Sequence, residues 1–184
     1  MHEEMPLPCQ QEMVGFQLWV NLPAGLKMTT PRYQNIASDQ IPEIIRDDGV
    51  KIRVIAGEMD GVCGPVNDIF ADPTYMDVSI PANGSFSYSV EQGDTVIAYV
   101  FEGEGVFDSG DLPKAETVSQ PRLVVLSDTG FFEARATKRY VRFLLISGKP
   151  LNEPIARYGP FVMNTQDEIQ QALEDLKNGT FVKN

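Results

Sequence analysis

Apolar and polar residues alternate with a period of two along much of this chain. In residues 15–22, Phe16, Leu18, Val20 and Leu22 fall on one side, and Gln17, Trp19 and Asn21 on the other. In residues 51–58, Ile52, Val54 and Ala56 alternate with Lys51, Arg53 and Ile55. In residues 85–90, Phe86, Tyr88 and Val90 alternate with Ser85, Ser87 and Ser89. Consecutive side chains of a strand point to opposite faces, so each run predicts a half-buried strand. Residues 74–80, 95–102, 122–128 and 140–147 read as further strands. The last three are apolar on both faces in places, which suits strands inside a sandwich or barrel. Phe86, Tyr88, Val90, Ile97, Val125 and Phe143 are the expected interior.

Turn pairs fall between these runs: Asp48-Gly49, Asn83-Gly84, Gln92-Gly93, Ser109-Gly110 and Thr129-Gly130. Such pairs reach positive φ cheaply and close hairpins. Gly103-Glu104-Gly105 reads as one more hairpin turn. It lacks the third glycine and the strand-to-helix setting of a phosphate-binding loop. Short strands punctuated this often predict an all-β sandwich or barrel.

One helix stands out near the C-terminus. Thr165 and Glu168 form a capping box, and Asp167 and Glu168 suit the positive end of the helix dipole. Ile169, Ala172, Leu173 and Leu176 then recur at helical spacing, Lys177 sits in the last turn, and Gly179 marks the stop. A shorter helix over residues 38–45 is interrupted by Pro42.

Composition narrows the function. The chain has 184 residues, and 26 Asp and Glu against 15 Lys and Arg give a net charge of −11. That length fits one domain, or one domain with an appendage. The acidic balance argues against direct nucleic-acid binding, which needs a basic face. No apolar run reaches the roughly 18 residues of a membrane span. The first residues carry neither the basic nor the apolar part of a signal peptide, which points to the cytoplasm, or the nucleus in a eukaryote. Two cysteines, Cys9 and Cys63, are read as free thiols, with a single bridge as the alternative. Nothing basic stands near Cys63 in sequence to activate it.

The only histidine is His2. A Ser-His-Asp set or a multi-histidine metal site within one chain would have to use it. In a strand, His2 and Glu4 share a face, and an imidazole with a carboxylate suits a divalent metal. Two ligands are fewer than the three of a usual catalytic site. By pattern alone, a solvated terminus explains the same residues.

Several stretches together resemble the pirin family. They are HEEMP at 2–6, GFQLWVNLP at 15–23, PRYQ at 31–34, IP at 41–42, YVFEGEG at 99–105 and ISGKPLNEPIARYGPFVMNT at 146–165. They run in family order from residue 2 to residue 165. The resemblance implies a cupin-type barrel (a double-stranded β-helix, or jelly roll) that ends in a helix. Pirins carry two cupins, and the first holds iron or a similar divalent metal with three histidines and a glutamate. His2 and Glu4 match the last histidine and the glutamate of that set. The two histidines of the family's HPHRGFET-like segment have no counterpart here.

The chain is therefore expected to be incomplete. Residues 1–14 would be a remnant of the metal-binding cupin, 15–164 the C-terminal barrel, and 165–184 the helix and tail. The resemblance implies a metal-dependent dioxygenase of the quercetin 2,3-dioxygenase kind, acting on a flavonol once its site is complete. The alternative is a non-catalytic regulatory module. That module would bind a protein partner, or a second copy, through the face that would meet the first cupin.

Overall fold

A computed structural model describes residues 15–67, 69–70, 72–108, 116–127 and 130–182. The strands in chain order are β1 (Glu43–Ile45), β2 (Lys51–Ala56), β3 (Glu58–Met59), β4 (Val62–Cys63), β5 (Thr74–Ile80), β6 (Ser85–Ser89), β7 (Thr95–Asp108), β8 (Thr117–Ser119), β9 (Arg122–Ser127), β10 (Phe131–Gly148), β11 (Ala156–Tyr158) and β12 (Phe161–Met163). Helix α1 spans Gln166–Asn178. The main sheet runs β1-β2-β5-β10-β7-β8, with β6 added to β10 and β9 to β7. Its ladders are all antiparallel.

Two long strands turn this sheet into a barrel. The second half of β10, Val141–Ser147, lies between β5 and the first half of β7. Its first half pairs instead with β6 and with the far end of β7. Both strands thus pass from one wall to the other. The pairing slips between Ala136 and Val141 and again between Arg142 and Phe143. Gly103-Glu104-Gly105 sits at this bend, inside β7, and is not the hairpin turn expected from sequence. Gly103 has φ +72°, and a Cβ there would lie 1.9 Å from the Tyr140 carbonyl oxygen. Glycines at a bulge and at a turn look alike in sequence, because both exploit the missing Cβ.

The core is apolar and aromatic. Phe86, Phe107, Phe132 and Phe143 are all buried, and their ring centroids lie 5.2–6.3 Å apart. Phe86, Val90 and Phe143 are interior as expected, and Tyr88 packs partly buried against them. Ile97 and Val125 are corrections. They face outward as a register pair, Val125 is 57% exposed, and Val96, Ala98 and Leu126 fill the interior instead. These strands are apolar on both faces, so alternation there does not set the phase.

Two expected elements differ. Residues 15–22 form no strand. Phe16 instead lies against Tyr99 and Phe101 of β7, at 5.6 and 4.9 Å between centroids. Leu18, Trp19 and Val20 remain substantially exposed. Residues 38–45 form a 3-10 turn, Ser38–Gln40, followed by β1. Pro42 disfavours helical backbone at Ile41, which is extended at φ −86°, ψ 112°.

Helix α1 forms as expected. Thr165 Oγ1 accepts from the Glu168 backbone N–H at 3.2 Å, and Glu168 accepts from the Thr165 N–H at 2.8 Å. Backbone donors at Asn164 and Thr165 hold the Glu168 carboxyl below the ordinary carboxylate range. Gly179 ends the helix at φ +72°. Ile169 and Ala172 pack with Ala156, Phe161 and Met163, so the helix closes a second small core on the β11–β12 hairpin. Thr165→Ala is expected to cost about 1 kcal/mol of stability through the lost cap. Urea melts would read it, and a loss near zero would show that packing alone holds this helix.

Candidate functional site

His2 and Glu4, the two metal ligands expected from sequence, lie outside the described residues, as does Cys9. Cys63 is exposed and unbridged. Its thiol lies 3.7 Å from the Glu58 carboxylate, its cross-strand neighbour. Thiol activation takes a cation or a helix N-terminus, and this partner is neither.

The barrel interior does not fit a metal ion. Its centre is filled by the four phenylalanine rings, which supply no ligand atoms. Among the described residues, no three His, Cys, Asp or Glu side chains gather closely enough to hold one.

Polar groups collect instead at one end of the barrel. Thr74 of β5 and Ser147 of β10 are register partners on the inward face, and both are buried. Thr74 Oγ1 shares a hydrogen bond of 3.1 Å with the Tyr88 hydroxyl. These three side chains floor a cleft of about 990 Å³. Its rim carries Glu58, Asp72, Glu91, Asp94 and Lys149, with Phe70 and Val66 as apolar wall. Asp94 is held above the ordinary carboxylate range by partial burial and then by Glu91, against the pull of Lys149. Sequence reasoning missed this cleft, because its residues are scattered along the chain from Gly57 to Leu151. Only the register of β5 against β10 brings Thr74 to Ser147.

The outer wall carries a second polar feature. Arg142 donates to both Asp77 oxygens at 2.9 and 2.7 Å and to Glu102 at 3.1 Å. Its guanidinium also stands 5.0 Å from the centre of the Phe101 ring. The Asp77 bonds hold its pKa above the ordinary arginine value. Arg142 thereby ties β5, β10 and β7 together, which is a structural role. Nearby on the wall, Tyr99 and Ile97 pair with Leu123 and Val125, and the last two are more than half exposed. A shallower groove of about 580 Å³ runs between Trp19, Lys27, Arg157 and Phe161.

Comparison with known proteins places this geometry. The pattern of the Pirin C-terminal cupin domain matches residues 75–182. Pirin of Rattus norvegicus is 36% identical over 97% of this chain and 60% of its own length. A relative in Thermoplasma acidophilum is 38% identical over the whole chain and 75% of its own length. The solved quercetin 2,3-dioxygenase of Acinetobacter baumannii is 36% identical, with a TM-score of 0.78 over 89% of this chain and 55% of that one. The chain thus spans between about half and three quarters of the length of these relatives. Among its described residues, no helix is long and apolar enough to cross a membrane. The antiparallel barrel of the described residues, with its capped terminal helix, agrees with the matches in sequence and in fold, and the chain belongs to the pirin family of cupin proteins.

Proposed function

We propose that this chain is the C-terminal part of a metal-dependent quercetin 2,3-dioxygenase-like pirin, in which the described barrel supports the reaction and does not host it. The observation that carries this reading is the phenylalanine-filled interior, which leaves the barrel centre no room for a flavonol and no ligand for a metal. The name of the solved Acinetobacter protein supports the reaction class. In this reading His2 and Glu4 are two ligands of the metal, and further histidines beyond the single one of this chain complete the set.

Two ligands predict weak metal binding by this chain alone. Titration with Mn(II), followed by loss of the free-ion resonance signal, should show a weak site that disappears in His2→Ala and in Glu4→Ala. Oxygen uptake with quercetin should be no faster than with the free ion. An unchanged Mn(II) titration in both variants would remove His2 and Glu4 from the ligand set.

A second reading has its own observation. Leu123 and Val125 expose an apolar strip on the outer wall, 58% and 57% open. Exposed apolar patches mark interaction surfaces. In that reading the chain is a non-catalytic module docking a protein partner through this wall. It becomes the better reading if the Mn(II) titration shows no site that depends on His2.

A further inference from the structure

The shallow groove beside Trp19 carries the charge opposite to that of the whole chain. The sequence has 26 Asp and Glu against 15 Lys and Arg, yet no acidic residue lines this groove, and Lys27 and Arg157 do. One side comes from residues 19–22 and Lys27, the other from Arg157 and residues 160–163. Glu153 fastens these two segments, because one of its oxygens accepts from the Ala24 N–H and from Asn164 Nδ2, both at 2.8 Å. Apart from Asn21 and the two cations, the lining is apolar. Phe161 and Met163 are buried, and the Phe181 ring meets Phe161 edge-on with centroids 5.1 Å apart. Trp19 is 59% exposed, and its indole N–H is bonded to Gln17 Oε1 at 2.7 Å, so the ring surface is what it offers the groove. Lys27 donates to the neutral Asn21 Oδ1 at 2.7 Å, and Arg157 enters no ion pair among the described residues. Glu168 feels the Lys27 charge, but its carboxylate is already engaged by the Asn164 and Thr165 N–H groups of its own helix cap.

We propose that this groove binds a small arylalkyl carboxylate. A guanidinium meets a carboxylate through paired N–H donors, and Lys27 adds a second positive charge on the facing side. An inorganic anion would leave the aromatic and aliphatic lining bare. A neutral hydrocarbon would leave both cations unanswered. An aromatic ring on an apolar stem with one carboxylate answers both parts of the lining, and about 580 Å³ is room enough for such a molecule. The ring would lie against Trp19 and Phe161, where offset and edge-on aromatic contacts are favourable, with the carboxylate toward Arg157. This inference does not depend on how the metal set of the proposed function is completed.

Trp19 is the only tryptophan of the chain, so its fluorescence reports occupancy of the groove directly. The test is titration of the full chain at low ionic strength with phenylbutyrate, phenylbutanol and phenylbutylamine. The three share one skeleton and differ in the charge of the head group. A saturable change is expected with phenylbutyrate, which should bind about tenfold tighter than the alcohol or the amine, because charge-assisted contacts are the strong ones. A net charge of −11 acting as a whole predicts the reverse order, with the amine first. Arg157→Gln should weaken phenylbutyrate binding by about threefold to tenfold and change phenylbutanol binding by less than about twofold, because only the carboxylate loses an ion pair. Lys51→Gln removes the same charge from an exposed position outside the groove and should leave both ligands unaffected. Three results overturn the proposal. One is the absence of a saturable change with phenylbutyrate. Another is phenylbutylamine binding as tightly as phenylbutyrate, which would mean that the charge of the whole chain governs the groove. The third is equal weakening of phenylbutyrate by Arg157→Gln and Lys51→Gln.

Discussion

Phe143→Ala is expected to destabilise the barrel by about 3–5 kcal/mol, the range for truncating a fully buried aromatic ring. Phe143 is fully buried, and its ring centre lies 5.2 Å from Phe107, 5.9 Å from Phe132 and 6.3 Å from Phe86. Three neighbouring rings cannot all collapse into the vacated space, because β10 is held by ladders on both sides at this residue. The lost contacts therefore add a cavity cost to the transfer cost. Urea melts would read the change through the midpoint at a constant slope. Val125→Ala makes the matched control. It faces solvent, and its expected effect lies within about 0.5 kcal/mol of zero. Similar losses at the two positions would mean that β9 presents the opposite face to the core.

Gly103→Ala is expected to cost about 2–5 kcal/mol, although it adds a single methyl group. Two penalties combine. Left-handed backbone costs a residue with a Cβ roughly 1–2 kcal/mol. The new Cβ would also lie 1.9 Å from the Tyr140 carbonyl oxygen and 2.9 Å from its carbonyl carbon. Those are backbone atoms at the point where β10 changes partners, so relief requires moving a strand and not a side chain. Overpacking of that kind typically costs 1–3 kcal/mol, occasionally more, so about that much is added here. Gly93→Ala separates the two terms. Gly93 also has positive φ, at +91°, but nothing lies within 4 Å of its virtual Cβ. It should show the backbone penalty alone. Equal losses at Gly93 and Gly103 would mean that β7 and β10 do not approach closely at the bend.

Local chemistry accounts for what could be read from the chain itself. The Ser-alternating run at 85–90 has one polar and one apolar face, so its inward residues followed from period alone. The helix after Thr165 carries its own start, stripe and stop within fifteen residues, and each acts over one turn of backbone. The Asp48-Gly49, Asn83-Gly84 and Gln92-Gly93 turns likewise depend only on adjacent residues. The family could be read because its motifs are spread in order across the chain. The positions that chemistry needs were legible only as residue types, and His2 and Glu4 remain ligands by resemblance.

Tertiary structure decided the rest, for reasons of distance and register. Ile97 and Val125 were placed inside because their strands are apolar on both faces. Only the ladder between β7 and β9 reveals that Val96, Ala98 and Leu126 point inward. Gly103 looked like a turn because nothing nearby in sequence announces Tyr140, whose carbonyl on the neighbouring strand β10 leaves no room for a Cβ. Residues 15–22 looked like a strand because their alternation is genuine. Of their apolar side, however, Phe16 packs against Tyr99 and Phe101 of β7, while Leu18 and Val20 stay exposed and pair with no strand. Thr74 and Ser147 are 73 residues apart and face one another only because β5 and β10 pair in that register. Alternation sets which residues share a face, and the partner strand sets which face is inside.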